Sequence, residues 1–314
     1  MTVTQTCPVY SAPMAGVTDK PFRLMLRRFG MQPLYTEMIG VNTLAYRHPS
    51  TCKMIHIADE KNIIVQLVGI DEENLIKGAK EAEFNGAIGI DINMGCPVKK
   101  LISNGSGAAL MKDIDRACRL VERIRENVSV PVSVKTRLGW DAQHITIDEF
   151  VQKMSKTGVS HITIHGRTRE QGYSGEADVA KMVQMAHLNI VPIIANGDIT
   201  DISSATRIQQ VGCFAGMMVG RGILGKPWLL QEIETKQKPS FCLSEIVLEH
   251  LDLMLHYYGR HGLYVARKHL AWYARGKKDV AQFCRNIYLE EDEKKVKRYI
   301  NSFLTNAEEV EEKE

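Results

Sequence analysis

The chain has 314 residues, of which 44% are hydrophobic and 25% charged, with a formal net charge of +3 and seven cysteines. These proportions belong to a folded globular protein and exclude a collagen-like, fibrous or disordered chain. No apolar run approaches the ~18 residues of a membrane span. No two cysteines stand in a C-x-x-C pair, which argues against a zinc ribbon or a disulfide scaffold, and the opening residues lack the basic and apolar regions of a secretory signal. The expectation is a reduced, cytoplasmic monomer with neither a membrane nor a metal partner.

From residue 7 to about 235, short β-branched runs alternate with helical periodicity. The strands are expected at Val9–Ala12, Leu34–Glu37, Ile63–Leu67, Ile88–Asn93, Val132–Arg137, His161–His165, Val191–Ala195 and Gly216–Val219. Between them Glu72–Glu83, Ile114–Glu126, Ile147–Lys156 and Ala177–Ala186 read as amphipathic helices. Parallel strands need helical crossovers, so eight such strands predict an α/β (β/α)8 TIM barrel, with a doubly wound open sheet as the competitor. After Pro239 the alternation stops. Ser244–Arg260, Leu263–Arg275, Val280–Tyr288 and Glu291–Leu304 read as successive helices, with Ser244 as an N-cap and an acidic frayed tail from Glu308. The expected division is a barrel over 1–239 and an all-helical domain over 240–314.

Polar or glycine-rich features close nearly every strand, where a barrel collects its functional side chains. Strand one ends in Pro13-Met14-Ala15-Gly16, strand three carries Gln66 and strand four ends in Asn93-Met94-Gly95-Cys96-Pro97. Strand five gives Lys135-Thr136-Arg137, strand six His165, strand seven Asn196-Gly197-Asp198 and strand eight Gly220-Arg221-Gly222. The last two suit a phosphate, because glycines let backbone N–H groups approach an anion and a following helix offers its N-terminus. Lys135 should point into the barrel mouth, where it would stabilise an anionic cofactor or intermediate. The plain alternative is an ion pair with Asp91 or Glu37. His165 follows the same logic, whereas His161, at the other end of its strand, reads as a core residue.

Cys96 stands apart from the other cysteines, which read as small hydrophobes. It lies in a loop just past a strand, followed by Lys99 and Lys100. A thiol with an ordinary pKa of ~8.5 can donate a proton at neutral pH, while adjacent lysines could instead favour a nucleophilic thiolate. The glycine-rich stretch 103–109 is expected to be mobile, as a lid or a nucleic-acid contact. Between Gly259 and Tyr288, seven Lys/Arg stand against one acid, Asp279, with aromatics interleaved. That pattern fits either RNA contact or a solvated face over core aromatics.

The segments APMAGVTD (12–19), DINMGCPVKK (91–100), GSGAALM (105–111), VKTRLGW (134–140), HGRT (165–168), ANGDI (195–199), GRG (220–222) and ARKHLAWY (266–273) occur in this order. Together they resemble the bacterial tRNA-dihydrouridine synthases, nearest in these motifs to the B-type branch, although EQGY at 170–173 is similar to the C-type. The resemblance implies an FMN-containing barrel joined to a helical tRNA-binding domain. It further implies that NADPH, or NADH, reduces the flavin, that flavin N5 passes hydride to C6 of a D-loop uridine, and that Cys96 protonates C5. Carried onto this sequence, Pro13, Met14, Ala15, Gln66, Lys135, His165, Asn196, Gly197, Asp198, Gly220 and Arg221 are the flavin contacts, and Asn93 and Arg137 belong to the uracil pocket. Arg267, Lys268, Arg275, Lys277 and Lys278 are the tRNA-backbone candidates. The B-type likeness points to U17, with U16, U20 or dual specificity open.

Two rival readings remain at this point. An FMN barrel acting on a free pyrimidine, as in dihydroorotate oxidation, shares the lysine and the proton-transferring residue but needs no basic helical domain. A non-catalytic RNA-binding protein would have no use for an intact Cys96–Lys135 pair.

Overall fold

A computed structural model describes the backbone of residues 7–311 and the side chains of residues 7–305. Eight strands, β1 (Val9–Ser11), β2 (Leu34–Gly40), β3 (Ile63–Val68), β4 (Gly89–Asn93), β5 (Val132–Arg137), β6 (Ile162–His165), β7 (Ile193–Asn196) and β8 (Gly216–Val219), form one all-parallel sheet. The ladder runs β1-β8-β7-β6-β5-β4-β3-β2, a nearly closed TIM-type barrel in which β1 and β2 are neighbours without a shared ladder. The open sheet is therefore set aside. The observed strands match the periodicity to within a few residues, because each β-branched run is bounded by turn residues that end it locally.

Four of the helices that return the chain between strands start from aspartate caps. Asp71, Asp113, Asp178 and Asp201 each accept a backbone N–H from three residues on, and Asp201 forms a reciprocal capping box with Ser204. A capping carboxylate satisfies an N–H left over at a helix start and favourably meets the helix dipole. One consequence of strand alternation matters for the site. In β5, Ser133, Lys135 and Arg137 share a face, and the register sets Asn93 beside Lys135, Arg137 beside His165, and His165 beside Asn196.

The described residues divide into two compact units, 7–19 with 31–222, and 20–30 with 223–311. The division thus falls at Gly222 rather than at 239, and the helix Lys20–Arg28, although it follows β1, belongs to the helical unit. The reason is burial. Met25 and Phe29 share one apolar core with Trp228, Ile246, Leu251, Leu270, Ile287 and Ile300, and each large side chain removed from water contributes about 2 kcal/mol.

The helices of the second unit run Leu229–Thr235, Leu243–Tyr258, His261–Tyr273, Val280–Leu289 and Glu293–Glu311. Ser244 is not the N-cap that was expected. The helix starts one residue earlier, Cys242 occupies the cap, and Ser244 is buried inside the first turn. The acidic stretch from Glu308 continues the last helix to Glu311 rather than fraying, and residues 312–314 lie outside the described residues. No helix among the described residues is long and apolar enough to cross a membrane.

Candidate active site

Cys96 is half-buried just past β4, and its peptide is held on both sides. Its N–H donates to Asn93 Oδ1 at 2.9 Å, and its carbonyl accepts from Ala108 N at 3.1 Å. The second contact requires Gly107. This residue has φ +61, and a Cβ there would come within 2.9 Å of the Cys96 carbonyl oxygen, closer than packed atoms tolerate. The stretch expected to be mobile is instead ordered into a helix at Lys99–Ser103 and a 3-10 helix at Gly107–Lys112, with Ser106, Ala108, Leu110 and Met111 buried. Lys112 ends the segment with its ammonium 3.5 Å from the centre of the Trp140 ring.

Burial pushes the Cys96 thiol pKa above its ordinary value, and the Val98 backbone N–H and the charges of Arg137 and Lys135 only partly oppose this. The thiol is therefore protonated at neutral pH, which favours the proton-donor alternative over the thiolate. The opposing cations are the two β5 side chains, not the adjacent Lys99 and Lys100, which are exposed.

Lys135 donates its ammonium to Asn196 Oδ1 at 2.8 Å, and Asn196 in turn donates to the Met218 carbonyl at 2.7 Å. The alternative of an ion pair with Asp91 or Glu37 is not what the geometry shows: Glu37 accepts the Gly16 N–H at 2.5 Å, and Asp91 accepts from Gln66 and Ser133 at 2.7 Å each. Part of the Lys135 side chain opens to the mouth, but its surroundings and the Arg137 charge push its pKa down to about 8. It stays largely cationic at neutral pH.

Arg137, 4% exposed, ties two loops together. It donates Nε to the Gly95 carbonyl at 2.8 Å and Nη1 to the Thr168 and Gly172 carbonyls at 3.1 and 2.9 Å. His165 is buried, and that burial with the nearby cations Lys135, Arg137, Arg167 and Arg221 drives its pKa far below the ordinary value. It is a neutral imidazole. His161 bridges Ser160 and Tyr35, as a core histidine should.

At strands seven and eight, Gly197 sits at φ +134, where a Cβ would meet Ala177 Cβ at 2.7 Å. Asp198 points away from a simple ligand role. Both its oxygens accept from Arg167 Nη2 at 2.7 Å, and Oδ2 also accepts the Ala177 N–H. Arg221 lies 3.7 Å from Asp198 with its side chain 54% exposed. No α-helix starts at the end of β8. Arg221–Ile223 is a single 3-10 turn, and the next α-helix, Leu229–Thr235, belongs to the other unit. The expected helix N-terminus is thus replaced by one turn, because Gly225 and Pro227 interrupt the helical pattern. Pro13 and Met14 lead from β1 into a turn at Ala15–Val17, and the Met14 sulfur lies near Gly220.

The sequence reading gave no separate role to Arg167 and Tyr173. Arg167 is fully buried and also donates to the Ser174 and Gly175 carbonyls. Tyr173, 59% exposed, has the guanidiniums of Arg221 and Arg137 at 4.8 and 5.7 Å from its ring and the His165 ring at 6.2 Å. A buried arginine whose partner lies 31 residues downstream leaves no local signal. Among the remaining cysteines, Cys213 is exposed, not a packed small hydrophobe.

In the helical unit, Arg267 is committed to structure. It donates to the Ile287 and Glu290 carbonyls at 3.1 Å, closing the end of the helix Val280–Leu289, and covers the Tyr264 ring at 4.4 Å. Lys268 and Lys277 are half-buried, whereas Arg275 and Lys278 are exposed. Arg275, Lys277 and Lys278 share the turn that joins two helices.

Comparison with known proteins adds identity to this geometry. Residues 10–310 match the family described as dihydrouridine synthase (Dus). The chain is 39% identical to a probable tRNA-dihydrouridine synthase of Rickettsia conorii over 94% of its own length and 93% of that protein. It is 42% identical to one of Rhodobacter capsulatus (85% and 86% covered) and 35% identical to tRNA-dihydrouridine synthase B of Xanthomonas axonopodis pv. citri (88% and 86% covered). The solved structure of histamine dehydrogenase from Rhizobium sp. 4-9 shares the fold at a TM-score of 0.54 and 13% identity, with 78% of this chain and 48% of that one covered. With a family match across almost the whole chain and relatives this similar, the protein belongs to the dihydrouridine synthase family.

Proposed function

We propose that the protein is an FMN-dependent tRNA-dihydrouridine synthase that reduces the C5–C6 double bond of a D-loop uridine with NADPH. The observation that carries this reading is a half-buried thiol, Cys96, whose peptide is fixed on both sides just past β4, with Lys135 and Arg137 on the neighbouring strand β5. The donor set fits the cofactor: a cation set into the mouth, a neutral imidazole, and a half-exposed arginine on a glycine-flanked turn match an electron-rich ring carrying a phosphate. FMN, when bound, supplies the hydride that C6 of the uracil receives.

The chain's own residues supply the rest. Hydride addition at C6 leaves negative charge on the uracil, and Cys96 relieves it by giving its S–H proton to C5, keeping the electron pair as thiolate. Lys135 and Arg137 place positive charge where this anion develops. Asn93 and Tyr173 border the place the flipped-out base would take. Arg221 would hold the phosphate, assisted by backbone N–H groups around Gly197 and Gly220. Asp198 acts through Arg167, holding the loop that carries Tyr173.

The test is site-resolved mapping of dihydrouridine in unmodified tRNA transcripts incubated with the protein and NADPH. One modified D-loop position is expected, U17 first. Turnover of free dihydroorotate without tRNA modification would favour the free-pyrimidine reading instead. The cofactor makes its own prediction: the purified protein is yellow, and Arg221→Ala lowers its flavin content by removing a charge-assisted contact. Full flavin retention in that variant would place the phosphate elsewhere.

The helical unit predicts salt-dependent tRNA binding. Reversing Lys277 and Lys278 to Glu should weaken tRNA affinity about tenfold and flatten the log–log salt slope by about one to two, since each lost phosphate contact removes a counterion-release contribution. Flavin content should not change. Titrations at several salt concentrations check this, and an unaltered slope would return the pair to a solvated face. Arg267, occupied with the helix end, is the wrong residue for that experiment.

A further inference from the structure

Beneath the Cys96 turn a line of buried polar groups runs from Asn93 through Gln66 to Asp91, a residue to which the proposed reaction gives no role. Cys96 N–H and Gly95 N–H donate to Asn93 Oδ1 at 2.9 and 3.2 Å. Asn93 Nδ2 donates to Gln66 Oε1 at 2.9 Å, and Gln66 Nε2 donates to Asp91 Oδ2 at 2.7 Å. The line ends at Asp91, which is fully buried and whose other oxygen accepts from Ser133 Oγ at 2.7 Å. An amide side chain can be turned end for end at no cost to shape, exchanging its donor and acceptor. A carboxylate cannot, because both its oxygens only accept. The line is thus pinned at both ends, by the donor-only N–H groups of the Cys96 turn and by Asp91, the one side chain in it that cannot exchange donor for acceptor. Asp91 forces Gln66 to present its NH2 downward and its oxygen to Asn93. Asn93 must then present its NH2 to Gln66 and its oxygen to the two N–H groups of the Cys96 turn. Reversed amides would set an NH2 against both N–H groups and release the turn.

We propose that Asp91 is a positioning residue of this site: its carboxylate sets the direction of the Gln66–Asn93 amide line and so the placement of the Cys96 thiol. The consequence for catalysis rests on the reading of Cys96 as the acid; the consequence for thiol placement does not.

The test moves the carboxylate from one end of the line to the other. Asp91→Asn removes the direction-setting group without changing shape. Asn93→Asp puts an acceptor-only group beneath the Cys96 turn, but sets it against the Gln66 oxygen while Asp91 holds Gln66 in place. In the double variant Gln66 can turn over, donating to the carboxylate introduced at 93 and accepting from the amide introduced at 91. The line is again matched, in the opposite direction.

Two readouts are taken on all four flavin-loaded proteins. One is the rate of Cys96 alkylation by iodoacetamide, resolved from the other cysteines by peptide mass spectrometry. The other is dihydrouridine formation at saturating tRNA transcript. Asp91→Asn alone should slow product formation about tenfold with the KM for tRNA within twofold, and should alter the alkylation rate at least threefold. In the Asn93→Asp background the same substitution should act in the opposite sense on both readouts, moving them back toward the unsubstituted protein. A change of sign is what a merely structural aspartate would not produce. Asp91→Asn acting in the same direction in both backgrounds, or having no effect, overturns the proposal. If solubility intervenes, recovery of the double variant without the singles supports it, whereas a soluble Asn93→Asp beside an insoluble double variant overturns it. Cys96→Ala in the same product assay separates the two readings. Undiminished product there removes Cys96 as the acid, while the alkylation pattern still decides the role of Asp91.

Discussion

Cys96→Ala is expected to lower dihydrouridine formation by more than about 100-fold, the scale of a lost general acid, while NADPH is still oxidised in the presence of oxygen or an artificial acceptor. In the proposed mechanism the two half-reactions separate because only protonation of C5 would need the thiol. Two assays on one preparation check this: NADPH consumption followed by absorbance, and dihydrouridine in tRNA followed by mass spectrometry. Product at the unsubstituted rate would remove Cys96 from the mechanism, and loss of both activities would point to a collapsed barrel mouth.

The raised pKa gives the same residue a pH signature. Burial holds the thiol protonated beyond the ordinary thiol range, so the proton-donor form persists across neutral pH. The thiolate appears only at more alkaline pH. Alkylation of Cys96 should accordingly begin at higher pH than that of a free thiol such as N-acetylcysteine under the same conditions. Coincident profiles would mean that the site does not shield the thiol.

The largest stability effect is expected at the Arg167–Asp198 pair. Arg167 is 2% exposed and gives both Asp198 oxygens a hydrogen bond at 2.7 Å. Arg167→Met should cost about 3 kcal/mol, the lower end for breaking a buried pair, because Asp198 is 38% exposed and partly screened. The Ser174 and Gly175 carbonyls lose their donor at the same time, which should loosen the loop carrying Tyr173. Burial raises the Asp198 carboxyl pKa, but the Arg167 hydrogen bonds, the Ala177 N–H and the arginine charges lower it further, for a net value below the ordinary 3.8. A depressed folded-state pKa gives stability that is full above the ordinary value and is lost as pH falls through the folded one. The gap between the unsubstituted protein and Arg167→Met should therefore narrow below about pH 4. Urea melts at neutral and acid pH check both statements, and a gap that is constant with pH would assign the loss to packing alone.

Much of this protein is readable from its sequence because the controlling interactions are local. A β-branched run, the turn residues that end it and the aspartate that caps the next helix lie within a few residues of one another, so the eight strands and their order emerge from periodicity. Alternation along β5 likewise puts Lys135 and Arg137 on one face, and Gly95 and Pro97 around Cys96 mark a loop rather than a packed cysteine.

Only the tertiary structure decided what depends on distant partners. Met25 and Phe29 leave the barrel's half of the sequence for the helical core because that core buries them. The glycine-rich stretch after Cys96 is ordered because the Cys96 carbonyl and Trp140 hold it at both ends, contacts that composition cannot express. Asp198 is drawn to Arg167, 31 residues away, and Arg267 closes a helix end 20 residues on. The direction of the Gln66–Asn93 line belongs to the same class. Each amide taken alone could point either way; the backbone N–H groups of Gly95 and Cys96 at one end, and at the other the buried carboxylate of Asp91, paired beside Gln66 by β3 and β4, match only one direction.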